Sequence, residues 1–143
     1  MSDCIFCRIL SGETPGTFVH KDERCAAFLD IQPINEGHLL IVPRAHAPHL
    51  ADLDEATAGH LMAVAHRLGA ALRKSGLRCE GLNLFLADGR VAMQEVLHVH
   101  LHVFPRTRRD GFGLKLGPDY GVRPSRADLE AAGARIRKAL ERT

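Results

Sequence analysis

Residues Leu97–Pro105 read LHVHLHVFP, and this run decides the fold. His98, His100 and His102 alternate with Val99, Leu101 and Val103. A strand repeats its side chains every two residues, so it sets three imidazoles on one face and three aliphatics on the other. On a helix the same residues would scatter around the axis. The segment is therefore predicted to be a strand over Leu97–Phe104 with Val99, Leu101 and Val103 in the core. Charging three imidazoles on one face together is costly, so at least one stays neutral near pH 7 and is nucleophilic. Neutral imidazole can attack phosphorus or a carbonyl, and a neighbouring imidazole can protonate the leaving group. The competing reading is a solvated strand face rich in His, which a lone His would favour and three at period two do not.

The segments around this run complete an α+β pattern. Ile5 to Leu10 predicts a short first helix, stopped by Ser11, Gly12 and Pro15. Short β-type runs follow at Phe18–His20, Cys25–Leu29, Leu39–Pro43 and Asn83–Leu86, with DIQPINEG as a turn between the second and third. The clearest helix is expected from Leu53 to Ser75, with Asp52 as N-cap, Glu55 completing a capping box and Gly76 as the stop. Ala58, Leu61, Met62, Ala65, Leu68 and Leu72 form its apolar stripe. After Pro105 a Gly- and Pro-containing stretch reads as a long surface loop. A last helix then begins at Ser125, with Asp128 at the capping-box position. Many short strands with helices outside them imply an antiparallel sheet.

Composition narrows the function. The chain has 143 residues, 45% of them hydrophobic and 25% charged, which fits one globular domain. We read 1–106 as its core and 107–143 as a loop and helix of the same domain. The net charge of +2 is far from the dense basic face of a nucleic-acid binder. No apolar run approaches the roughly 18 residues of a membrane span, and MSDCIFCRIL is too short in its apolar part for a signal peptide. A cytoplasmic location is expected. There are nine His and four Cys, and two of the Cys form the pair CIFC. Without a secretory signal, such a pair reads as metal or redox chemistry rather than a structural disulfide.

HVHLHVF resembles the H-φ-H-φ-H-φ-φ signature (φ apolar) of the histidine triad, or HIT, nucleotide-binding hydrolases and transferases. CIFCRILSGETP, AFLDIQPINEGHLLIVPRAH, GLN at 81–83 and QEV at 94–96 resemble the family's flanking blocks, so the likeness runs from Cys4 to Arg106. It implies a HIT-like fold, an antiparallel sheet of about five strands with a main helix and flanking helices. It also implies His100 as the nucleophile that attacks an α-phosphorus and carries a nucleotidyl intermediate, with His98, His102 and His38 as its catalytic companions. A His capping a turn before a strand is the other reading of His38.

Asp30 is similar to the family's ribose-hydroxyl binder, although it could merely start the DIQP turn. Phe28, Ile31 and Phe6 would help form an apolar slot for the base, or equally be plain core. Gln94 falls in the loop that relatives wrap around the phosphate. Three positions depart from the family's usual pattern. Ala87 replaces a side-chain donor, Met93 stands where relatives usually place Gly, and Glu95 stands where Ser or Thr is common.

The resemblance also implies a structural zinc ion on Cys4, Cys7, His46 and His98, because zinc-carrying bacterial members use the His of a PxxH element, here PRAH, and the first His of the triad. Redox or bystander roles for CIFC are the alternatives. Cys25 and Cys79 read as buried bystanders, and His20, His49, His60 and His66 as surface or helix-face residues. The expected substrate is a purine nucleoside phosphoramidate or dinucleoside polyphosphate, and the expected assembly is a homodimer. No membrane or nucleic-acid partner is expected. A nucleotide-binding or scaffold module with little turnover is the competing function.

Overall fold

Short apolar runs rich in Val, Leu, Ile and Phe build the sheet. The computed structural model describes residues 3–143. Its elements run α1 (Ile5–Ser11), β1 (Phe18–Lys21), β2 (Cys25–Leu29), β3 (Leu39–Pro43), α2 (Glu55–Lys74), β4 (Gly81–Leu86), β5 (Leu101–Arg106) and α3 (Arg126–Leu140). All strand pairs are antiparallel, in the order β1-β2-β3-β5-β4. The chain divides into two compact units, Met1–Phe112 and Gly113–Thr143. The α+β expectation of an antiparallel sheet of about five strands therefore holds.

Both faces of the sheet are covered, which is why β3 is buried along its whole length. Leu39, Ile41, Leu101 and Val103 pack on Leu61, Val64, Ala65 and Leu72 of α2. The opposite face carries Phe28, Leu40 and Val42 against Phe6, Ile9 and Leu10 of α1. Register then decides where the histidines go. His102 lies opposite Leu40 of β3 and Phe85 of β4, and Leu40 lies opposite Phe28. Directly opposed residues share a face. His102 therefore stands in a row with Phe85, Leu40 and Phe28, on the side away from α2.

The period-two reading of the histidine run holds for its aliphatic half: Val99, Leu101 and Val103 are all buried in the core against α2. The strand itself begins later than expected, at Leu101. His98 lies in a bend ahead of β5, where its N–H bonds the Val96 carbonyl at 2.8 Å. Extended backbone continues the alternation there, although Val99 N–H bonds the Ala47 carbonyl of a loop.

The main helix starts at Glu55, not Leu53. Asp54 is its cap and accepts from Thr57 N–H at 2.8 Å. Asp52 serves a preceding 3-10 turn, Leu50–Asp52, by accepting from His49 N–H. Two acidic residues competed for one role, and the one adjoining the helix holds it. Gly76 ends the helix at φ 84°, the left-handed conformation that Gly adopts without penalty. Met62 faces outward at 53% exposure. The buried stripe runs instead through Leu61, Val64, Ala65 and Leu72.

Thr107–Phe112 is pinned rather than loose. The Asp110 carboxylate accepts from Arg106 Nε and Nη2, Asn35 Nδ2 and the N–H groups of Thr107 and Phe112. In the second unit, Ser125 caps α3 by accepting from Asp128 N–H at 3.1 Å. Its apolar residues Leu129, Ile136 and Leu140 are all exposed. No helix among the described residues is long and apolar enough to cross a membrane.

Candidate functional site

Cys4 caps α1 and Cys7 lies one turn inside it. His46 follows β3, and His98 precedes β5. These four residues converge. Cys4 Sγ is 3.3 Å from His98 Nδ1, Cys7 Sγ is 3.4 Å from His46 Nδ1 and 3.6 Å from His98 Nδ1, and the two Nδ1 atoms are 3.3 Å apart. Around a tetrahedral zinc with Zn–S of about 2.3 Å and Zn–N of about 2.0–2.1 Å, ligand edges measure roughly 3.3–3.6 Å. The tautomer agrees as well. The Pro43 carbonyl can only accept, so His98 Nε2, at 2.9 Å, carries the proton and Nδ1 keeps its lone pair for a metal. The donor set fits a closed, structural zinc site.

The same bookkeeping fixes the protons of the other histidines. His100 Nδ1 lies 2.7 Å from the His98 carbonyl oxygen and must donate to it, so Nε2 of neutral His100 is an unprotonated nitrogen. His38 Nδ1 accepts from Ile34 N–H at 3.1 Å, which puts the proton of neutral His38 on Nε2. That proton is donated to His102 Nδ1 at 2.9 Å. Neutral His102 then carries its own proton on Nε2. One imidazole offers a lone pair and its neighbour offers an N–H, with ring centroids 4.8 Å apart.

Burial keeps the supporting pair neutral. It pushes His102 down to about 4, helped by the neighbouring His100 and His38 and opposed by Asp30. Burial lowers His38 too, again against the Asp30 charge. His98 is lowered chiefly by burial.

Phe6 stands edge-on to His100 with centroids 5.0 Å apart, and Phe28 packs on Phe6 at 5.8 Å. Ile31 does not join them. It lies in the bend after Asp30 and is 94% exposed. Asp30 divides its carboxylate: Oδ1 accepts from Gln32 N–H at 2.9 Å, and Oδ2 lies 3.7 Å from His38 Nε2. Gln94 is buried with both amide ends occupied. Its Oε1 accepts from Gly89 N–H and its Nε2 donates to the Pro48 carbonyl, each at 2.7 Å. Its side chain braces the loop, in which Ala87 is also buried.

Several contributors left no signal in the sequence: the Pro43 and His98 carbonyls and the Ile34 N–H act through backbone atoms that any residue carries. Phe85 lies 5.9 Å from His102, and only the register of β4 reveals it.

A family model described as HIT domain matches residues 11–109. An uncharacterised HIT-like protein of Borreliella burgdorferi is 40% identical over 118 residues, 82% of this chain and 85% of its own length. Adenosine 5′-monophosphoramidase of Schizosaccharomyces pombe is 30% identical over 139 residues, 96% of this chain and 98% of its own. Among solved structures, a HIT family member from Bacillus subtilis superposes with a TM-score of 0.87 at 31% identity, covering 96% of each chain. A Zn-bound histidine triad family protein from Mycobacterium smegmatis gives 0.74 at 36% identity, covering 96% of this chain and 97% of that one. Sequence, fold and the three alternating histidines agree, and the chain belongs to the HIT family.

Proposed function

We propose that the protein is a nucleotide hydrolase or transferase that cleaves at the α-phosphate of purine nucleoside phosphoramidates or dinucleoside polyphosphates. The observation that carries this reading is the opposite protonation of two adjacent imidazoles, a lone pair on His100 Nε2 and a proton on His102 Nε2. The His100 lone pair forms a P–N bond while the bond from phosphorus to the leaving group breaks. The departing group accepts a hydrogen bond from His102 Nε2–H and takes its proton from solvent, and His38 holds the opposite nitrogen of that ring through its own N–H. Water then attacks phosphorus and displaces His100 as the neutral imidazole, losing its proton to solvent and releasing the mononucleotide. His98 contributes its carbonyl to this chemistry by orienting His100. The monophosphoramidase name of the fission-yeast relative supports the substrate class.

Asp30 binds the ribose hydroxyls through Oδ2, and Phe6 and Phe28 face the base. A zinc ion on Cys4, Cys7, His46 and His98 is structural, tying α1 to the segment that carries His100. The Zn-bound mycobacterial neighbour supports this assignment. The protein works in the cytoplasm as a homodimer. The free edge of β4 and the exposed Leu84 and Met62 supply surface for pairing. Light scattering that gave a monomer mass at micromolar concentration would count against the dimer.

The test is AMP release from an adenosine phosphoramidate and a diadenosine polyphosphate, assayed side by side. Release from either by wild type and from neither by His100→Ala supports the enzyme. Nucleotide binding with no AMP released from either substrate would make the chain a binding module instead.

A further inference from the structure

A second histidine cluster lies outside the triad and shares no residue with it. His20 of β1, Asp22 of the β1–β2 turn, Cys25 of β2 and His60 of α2 meet at one carboxylate. Asp22 Oδ1 is held by the N–H groups of Arg24 and Cys25, both at 2.8 Å. This fixes the carboxylate with Oδ2 towards the other three side chains. His20 Nε2 and His60 Nε2 each lie 2.7 Å from Oδ2, and the fully buried Cys25 Sγ lies 3.8 Å from it. Ligand atoms of His20, Asp22 and Cys25 are all within 4.8 Å of one another.

We propose that His20, Asp22, Cys25 and His60 form a second metal site, selective for a zinc-class divalent transition ion. Two imidazoles, a carboxylate and a thiol are a mixed N, O and S donor set, which suits zinc and disfavours the hard cations magnesium and calcium. In a tetrahedral zinc site the N–O edge is roughly 3.3 Å and the S–O edge roughly 3.5 Å. The observed contacts to Asp22 at 2.7 and 3.8 Å bracket those edges, and His60, which lies outside the group whose ligand atoms are all within 4.8 Å, closes the site by swinging its ring towards His20 and Cys25. Without metal, two N–H groups converge on one carboxylate oxygen; the ion takes the place of those two protons. Each imidazole keeps its proton by shifting it to Nδ1 through solvent. The Cys25 thiol releases one proton to solvent, and a dication with one carboxylate and one thiolate is neutral overall. The ion would join α2 to the β1–β2 hairpin, two elements of one sheet face.

Zinc stoichiometry tests this on the full chain, by equilibrium dialysis at micromolar free Zn2+ followed by elemental analysis. Wild type should hold two ions per chain, Cys4→Ser with Cys7→Ser one, His60→Gln one, and the three changes together none. Gln at 60 keeps an amide donor for Asp22, so the variant retains the helix contact and its circular dichroism checks the fold. If His60→Gln with His20→Gln binds as much zinc as wild type, the second site does not exist. One ion in wild type that survives the two Cys changes and vanishes with His60→Gln supports this site and overturns the first instead. With Co2+ in the Cys4→Ser, Cys7→Ser background, a thiolate-to-cobalt charge-transfer band that disappears in Cys25→Ser supports the fourth ligand. Absence of that band at full cobalt loading would overturn it.

Discussion

His100 Nδ1 donates to the carbonyl oxygen of His98 at 2.7 Å, so a backbone atom two residues away chooses which nitrogen of His100 is left as the base. The acceptor is a backbone atom, which makes the choice independent of side-chain identity at 98. The ring of His98 is thereby available for another task, on the other side of the same residue.

The His38–His102 contact is the next link, and it is open to mutation. His38→Ala removes the only N–H offered to His102 Nδ1 in the pair. Turnover should fall about 10²-fold, the scale of a lost or misdirected donor to developing charge. His38→Gln, which can still donate an N–H, should recover part of that loss. Steady-state kcat for both variants checks this. Equal loss in both, with nucleotide affinity also lost, would mean that His38 only holds the fold.

Met93 occupies φ 71°, left-handed backbone, at 67% exposure. A non-Gly side chain pays about 1–2 kcal/mol there, and so exposed a Met gives little packing in return. Met93→Gly should therefore stabilise the protein by about 0.5–1 kcal/mol once the greater freedom of unfolded Gly is deducted. Urea denaturation measures it. A clear destabilisation would show that packing of the Met side chain outweighs the backbone strain at this position.

Acid should destabilise the fold through its neutral histidines. His38 and His102 are both held below the ordinary 6.5, His102 at about 4. Between those values the unfolded chain binds more protons than the folded one, so stability present above 6.5 is lost as pH falls. The slope is at most about 1.4 kcal/mol per pH unit for each group. Asp22 and Asp110, held well below the usual carboxylate range, add further loss only below about their unfolded value of 3.8. Denaturation midpoints from pH 7 to 5, with imidazole shifts followed by NMR, check the sign. Stability that rose on acidification would contradict it.

Much of this was legible because period-two patterning is a strong signal. LHVHLHVFP placed Val99, Leu101 and Val103 correctly, and the family resemblance, through CIFC, PRAH and the first triad histidine, picked out four residues that the fold brings within 4.8 Å. What stayed hidden depends on register and backbone atoms. Nothing in the sequence says that Phe85 faces His102, that Gln94 spends its amide on Gly89 and Pro48, or that Asp22 collects His20 and His60. The cap went to Asp54 instead of Asp52 because each has a plausible partner within three residues, and only the chain's path chooses.

Metal removal separates stability from chemistry. The chelated protein should melt roughly 5 °C or more below the zinc-loaded form. Cys4→Ser with Cys7→Ser should reproduce the part of that loss that belongs to the Cys4, Cys7, His46 and His98 site while retaining part of the turnover, because neither thiol is assigned a role in the phosphorus chemistry. Differential scanning calorimetry and AMP release on the same samples check both halves. Chelation that stopped turnover with an unchanged melting temperature would point to a catalytic ion.

The most direct test of the account asks whether His100 becomes covalently nucleotidylated. Wild-type protein mixed with an adenosine phosphoramidate and quenched under denaturing, mildly basic conditions should gain the mass of one AMP group less water. Peptide mapping should place it on His100, and acid should remove it. His100→Ala should show no adduct and no turnover while AMP still binds. An adduct on another residue, or turnover retained by His100→Ala, would contradict the assignment of His100 as nucleophile.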